Sequence, residues 1–343
     1  MKGFSGQSGL LWPIRYKPKT DELLSSWLVR LAVGHGLKVQ TFCHRIFAGE
    51  RQVWNRDIDR LAPGWLVEEL SSRTGTPIGI AHATTLRTYD GFLYQGFRPS
   101  GALPWIQTLG MYHRKRERYG QQYCPACLAA DETPYFRRAW RVSFNTVCPM
   151  HKLMLYDRCP KCQAPVSYHR MEMGRSSNFE TTGLTGCHVC EFDLRESPLL
   201  PITTYKSEIR RWMIELSKLV THGAGPKRMH LNVEHLLVMH QLSKLLLSAS
   251  KYVNLRECLC DYLAVEDKVA SRGDRVSIEA RDINERHHLM QLIVWLMIDL
   301  EPRLRMAWRS KSVRYNHLLK DFHDPPAWFV NIAEGFSNWR DHD

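Results

Sequence analysis

Between residues 20 and 36 the chain reads TDELLSSWLVRLAVGHG, with Leu23, Leu24, Trp27, Leu28 and Leu31 at helical spacing. This predicts an amphipathic helix, with Thr20 placed to cap its start and Gly34 and Gly36 to end it. A second short helix is expected in VQTFCHRIF (39–47), and the stretch from Pro63 to about Leu86 predicts a helix, a Thr-Gly-Thr turn and a further helix beginning near Pro77. Helix, tight turn and helix is the order used by helix-turn-helix DNA readers, so residues 1–90 are expected to form a helical, helix-turn-helix-like domain. Arginines 45, 51, 56, 60 and 73 add positive charge there, and Asp57, Asp59, Glu68 and Glu69 dilute it.

The periodic pattern stops at residues 91–122, where glycines 91, 96 and 101 and prolines 99 and 104 read as a connector. It ends in HRKRERYG, where Arg114, Lys115, Arg116 and Arg118 stand against one acid, beside Tyr112, Tyr119 and Tyr123. Such a cluster suits phosphate or partner binding, and equally an exposed linker. Helical periodicity returns beyond residue 201 in KSEIRRWMIELSKLV, VEHLLVMHQLSKLLL and ERHHLMQLIVWLMI, whose apolar faces call for one another in an α-helical C-terminal domain, 201–343. His287 and His288 are adjacent on that last helix and are expected on its surface, since neighbours on a helix point in different directions. Near its end RLRMAWRSKSVR carries Arg303, Arg305, Arg309, Lys311 and Arg314 without an acid, a second candidate site for phosphate or a partner.

Composition sharpens this outline. The 343 residues carry 47 Lys and Arg against 35 Asp and Glu, a formal charge of +12 that favours an acidic partner such as DNA. The apolar stretches are broken by charge, and even the greasiest, at 289–300, is far shorter than the roughly 20 residues of a membrane span; the N-terminus lacks an apolar signal core. A cytoplasmic, nucleoid-associated protein is therefore expected. In such a reducing compartment ten cysteines argue for metal rather than disulfides. Cys43, Cys258 and Cys260 lie in helix-like apolar surroundings and are expected in the core.

The other seven fall between 124 and 190 and, with one histidine, form four pairs with two-residue spacers: Cys124 and Cys127, Cys148 and His151, Cys159 and Cys162, Cys187 and Cys190. Structural zinc takes four tetrahedral thiolate or imidazole ligands, usually as two close pairs separated by a loop. Eight ligands suffice for two Zn2+ ions. Crossed pairing satisfies the arithmetic as well as sequential pairing does; the sequential one lets each loop fold as its own ribbon, giving modules at 123–157 and 158–200, with YFRRAWRVSFNTV as strand material in the first. Both sites would be closed and thiolate-rich, which speaks for structural rather than catalytic metal. The fold class expected is mainly α, with small β zinc ribbons between the two helical domains.

The segment YCPACLAADETPYFRRAWRVSFNTVCPMHKLMLYDRCPKCQAPV (123–166) closely resembles the zinc-finger segment of the TniQ family, which includes TnsD-like target selectors of bacterial transposons. The opening DELLSSWLVRLAVGHGLKVQTF and the following RDIDRLAP are similar to that family's first domain. The resemblance implies a non-enzymatic accessory protein of transposition that selects the insertion site. Such proteins bind DNA or a target-recognising complex, including RNA-guided ones, and recruit an AAA+ regulator and the transposase; some short members form homodimers. The chain contains no GxxxxGK[ST] phosphate loop and no evident nucleophile with its base, in keeping with that role. Its C-terminal part matches no family pattern residue by residue, so the resemblance implies no sequence-specific DNA reading there. A stand-alone zinc-containing DNA-binding regulator is the alternative reading, and a zinc-containing nuclease a third.

Overall fold

The structure is a computed structural model that describes residues 11–47, 52–110, 118–171, 183–222, 231–248, 253–270 and 276–337. Their N-terminal part carries five helices: α1 Leu24–Gly34, α2 Val39–Ile46, α3 Ile58–Leu61, α4 Gly64–Thr74 and α5 Ile78–His82. Helix α6, Pro125–Ala130, precedes a central region of turns whose only sheet, among the described residues, pairs β1 (Val147–Cys148) antiparallel with β2 (Leu153–Met154). The C-terminal part is helical: α7 Ser207–His222, α8 Val233–Leu246, α9 Leu255–Leu263, α10 Ile283–Ile298, α11 Leu300–Arg309, α12 Tyr315–Leu319 and α13 Ala327–Glu334.

The expected first helix is present but is not amphipathic: from Leu24 to Ala32 every side chain is buried. Thr20 does not cap it. Instead, the amide hydrogens at its start are satisfied by distant groups: Leu23 N donates to Phe136 O (2.9 Å), Leu24 N to Thr84 O (2.9 Å) and Ser25 N to the Asp59 carboxylate (2.7 Å). The polar residues on what would be the solvent face are covered and paired, as buried polar groups must be. Arg30 makes a bidentate pair with Glu22, both contacts at 2.7 Å, and Ser26 Oγ donates to the same carboxylate. The helix is thus a central rod, coated by the segments that follow it.

The aromatic segment expected as strand material runs through a 3-10 turn, Arg138–Arg141, and leaves only two-residue strands behind it. Tertiary partners override its β propensity. Trp140 is buried, and the Arg141 guanidinium reaches Asp57 (2.5 Å) and Asp59 (3.3 Å) across the molecule. One continuous cluster of buried apolar residues runs from Trp12 to Phe336 through the N-terminal helices, the turn-rich centre and the C-terminal bundle.

In that bundle α10 packs against α7, α8, α9 and α11 and is buried almost all round. This overturns the surface position expected for its histidines. Both are inside: His287 bonds Thr146 Oγ1 (2.9 Å) and Thr203 O (2.8 Å), and His288 Nδ1 meets the Tyr205 hydroxyl at 2.6 Å. A helix surrounded by partners has no outer face, so adjacent positions can point in different directions and still both be buried.

Burial pushes His287 down from 6.5 to about 4. Because the unfolded chain takes up this proton first, the contribution is complete above about pH 6.5 and is lost as pH falls towards 4. Relative to wild type, His287→Gln is therefore expected to gain about 2 kcal/mol in urea unfolding between about pH 6.5 and pH 5; parallel stability curves for the two proteins over that range would refute the assignment.

Candidate metal centres and the surfaces around them

The four ligand pairs come together in sequential order. Cys124, Cys127, Cys148 and His151 converge in one cluster and Cys159, Cys162, Cys187 and Cys190 in another, with all ligand atoms of each within 4.8 Å of one another. In the first, His151 Nδ1 lies 3.7 Å from Cys124 Sγ, 3.3 Å from Cys127 Sγ and 3.5 Å from Cys148 Sγ, and the sulfurs of Cys127 and Cys148 are 3.6 Å apart. In the second, Cys159 and Cys190 are 3.7 Å apart and Cys162 and Cys187 3.5 Å. A tetrahedral zinc with bonds of about 2.0–2.3 Å separates its ligands by about 3.3–3.8 Å, so both donor sets fit the ion in type, number and spacing.

Three of the pairs share one backbone device. After Cys148, Cys159 and Cys187 the fourth residue, Lys152, Gln163 and Glu191, adopts positive φ (54°, 62° and 61°) and donates its amide to the carbonyl of that cysteine at 2.9 Å. The chain reverses there, turning both ligand side chains inward. None of the three is glycine, so each holds a left-handed backbone that costs energy by itself and is held by its surroundings. The first pair differs: Cys124 stands at the start of α6, with Pro125 preset at the first helical position, and Cys127 follows in the first turn.

Without a cation the crowded thiols of the first cluster cannot all ionise. Hydrogen bonding to Cys124 and then Cys148 holds the Cys127 thiol up, and hydrogen bonds from Cys124 and Cys127 pull Cys148 down to about 2. One sulfur carries the charge at its neighbours' expense. A divalent ion would stabilise all three as thiolates, which is the state that ligates.

The link between the clusters is anchored on both sides. Tyr123 and Tyr156 exchange backbone hydrogen bonds at 2.9 Å, and Met154 N donates to Leu200 O (2.9 Å). Buried Asp157 bonds Arg158 (2.8 Å) and accepts from Ile283 N (2.7 Å) at the head of α10. On the opposite side, His169 stacks on Trp54 with ring centroids 4.7 Å apart, and Tyr168 shares a short hydrogen bond with Ser25 of α1. The block is therefore keyed into both helical regions.

Of the first basic cluster, Arg114, Lys115 and Arg116 lie outside the described residues; Arg118 donates to Thr108 Oγ1 (2.8 Å). In the second, Arg303 is packed over the Trp295 ring, donates to the Trp295 carbonyl and pairs with Glu208 at 3.5 Å. Arg305 pairs with Glu301 (2.7 Å) beside Phe336, and Arg314 Nε donates to His317 (3.1 Å). Arg309, the last residue of α11, and Lys311 just beyond it are exposed. Helices α4 and α5 enclose the turn at Gly75 (φ +62°), and α5 presents Ile78 and Ile80 to solvent with no Lys or Arg of its own.

Sequence reasoning did not anticipate a third convergence, of Cys260, Asp267 and His288. No local spacing signals it, because its members come from two helices and a connecting segment. No described helix is long and apolar enough to cross a membrane.

A family model described as TniQ matches residues 13–155, from the segment before α1 through the first ligand cluster and β2. No curated protein matches the chain. TniQ proteins are non-catalytic accessories of transposition. Residues 13–155 therefore form a TniQ domain.

Proposed function

We propose that this protein is a zinc-stabilised adaptor that selects the target site for transposition, binding DNA or a target-recognising complex and recruiting an AAA+ regulator and the transposase. The TniQ domain carries this reading. The geometry supports it in three ways. Two closed ligand clusters, keyed into helices on either side, make a rigid platform rather than a reaction centre. The +12 charge suits a nucleic-acid partner, with Arg309 and Lys311 exposed as phosphate contacts alongside the basic stretch 114–116. The exposed pair Ile78 and Ile80 gives the α4–turn–α5 unit an apolar tip, which favours a protein partner there over a phosphate backbone.

In this reading residues 1–90 form the helix-turn-helix-like unit, 91–122 the basic connector, 123–157 and 158–200 the two zinc modules, and 201–343 the helical domain that completes the interface. The protein works in the cytoplasm at the nucleoid, as a monomer or a homodimer.

Two binding measurements test it. For duplex DNA, the double variant Arg309→Ala/Lys311→Ala is expected to weaken binding equally across sequences and to lower the slope of log K against log salt by about 2. In pull-downs, Ile78→Glu/Ile80→Glu is expected to lose the AAA+ regulator or the target-recognising complex while keeping DNA. Retention of neither DNA nor any transposition protein by the wild type would refute the proposal.

A further inference from the structure

The buried face between α9 and α10 brings together a thiol, an imidazole and a carboxylate outside both cysteine clusters. Cys260 projects from α9, His288 from α10 and Asp267 from the segment after α9. His288 Nε2 lies 3.7 Å from Cys260 Sγ and 3.4 Å from Asp267 Oδ1, and the three ligand atoms fall within 4.8 Å of one another. We propose that these residues form a third metal site, open at one position, for a divalent transition cation of the zinc type.

The orientation of the imidazole carries the argument. Its Nδ1 is held by the Tyr205 hydroxyl at 2.6 Å, and Tyr205 is fixed in turn by its amide donating to Gln291 Oε1 (2.8 Å). The other nitrogen is thereby aimed at the thiol and the carboxylate together. In a Cys-His-Asp catalytic triad the acid and the nucleophile sit on opposite ring nitrogens. Here both converge on the same one, as ligands around an ion do. A hydrogen bond to the remote nitrogen is also the usual second partner of a ligating histidine.

The carboxylate is prepared in the same way. Arg256 Nε donates to Asp267 Oδ2 (2.7 Å) and Val269 N to Oδ1 (3.0 Å), which turns Oδ1 towards His288. Tetrahedral zinc sets N, O and S ligands about 3.3–3.8 Å apart, so the two contacts to His288 already fit. Cys260 and His288 are buried, whereas Asp267 is exposed on the wall of a cavity of about 440 Å3 that also touches Cys260, Glu257 and Asp261. That cavity offers a route for the ion and a place for water as fourth ligand, the arrangement of open rather than closed zinc sites.

Metal counting on the intact chain decides the matter. Zinc-replete protein is expected to hold three equivalents by mass spectrometry, and Cys260→Ser and Asp267→Asn two. Cobalt(II) added to protein with both cysteine clusters already zinc-loaded should bind one equivalent and show the charge-transfer band of a single thiolate. That band should persist in Cys258→Ser, vanish in Cys260→Ser and require on the order of 10-fold or more cobalt in Tyr205→Phe. Should Cys260→Ser fail to fold, Asp267→Asn, altered at an exposed position, provides the same comparison. Two zinc equivalents and no cobalt band in the wild type, or a band unchanged in Asp267→Asn and Tyr205→Phe, overturns the site.

Discussion

Cys148→Ser is expected to unfold the middle of this protein, and Cys190→Ser to do much less. Zinc bound to a structural site contributes an apparent 10–16 kcal/mol or so in small zinc-finger peptides, as much as the whole stability of an ordinary domain. The two clusters differ in what surrounds them. Cys124, Cys127 and Cys148 are buried, and β1, which ends in Cys148, packs against α7 of the C-terminal bundle. Cys162 and Cys190 are partly exposed at the edge of the second cluster. A chelator should therefore take the ion of the second cluster first, with a modest drop in melting temperature. Loss of the first ion should then expose residues 121–157 together with the start of α1, to which Phe136 is bonded through Leu23 and Ser26. Hydrogen exchange followed by mass spectrometry reads both stages separately. Complete metal loss with unchanged protection of α1 and β1 would show that zinc is not what holds this block.

The ligand pairs were legible because their chemistry is local. Two donors three residues apart leave a mark in the sequence, and four such marks in order also suggested the sequential grouping that the fold adopts. The turns that orient them were not legible. Lys152, Gln163 and Glu191 adopt a left-handed conformation usually given to glycine, and nothing in their side chains announces it. Helix positions were readable from apolar spacing, but their surroundings were not. Ser25, Ser26 and Arg30 lie off the apolar face read for α1, yet they are buried: Ser25 pairs with Asp59, 34 residues on, and Ser26 and Arg30 pair with Glu22 just before the helix. The same holds for His287 and His288, whose partners at Thr146, Thr203 and Tyr205 lie about 80 or more residues away in sequence. Periodicity reports which side chains can share a face. It does not report how many faces will be covered.

Arg141→Met is expected to cost about 3–5 kcal/mol, because it leaves two carboxylates without their cation. Arg141 is fully buried and bridges Asp57 (2.5 Å) and Asp59 (3.3 Å), while Nη2 also donates to Gln107 O (3.0 Å). Asp59 is just as enclosed: Ser25 donates to it through both amide and hydroxyl, each at 2.7 Å. Burial, and then the neighbouring Asp57, already push Asp59 up from 3.8 to about 6 with the guanidinium in place. Removing the guanidinium should push it further. A folded-state carboxylate above its unfolded value contributes stability below about pH 4 and loses it as pH rises through the folded value. The penalty of Arg141→Met should accordingly grow between about pH 4 and pH 8, whereas a simple loss of packing would be nearly independent of pH. Adding Asp59→Asn keeps an acceptor for Ser25 and removes the titrating group. The double variant should then recover part of the loss at about pH 8 and none at about pH 4, measured by urea unfolding in a double-mutant cycle. Equal losses at both pH values, with no recovery in the double variant, would mean that Arg141 acts here through its shape and not its charge.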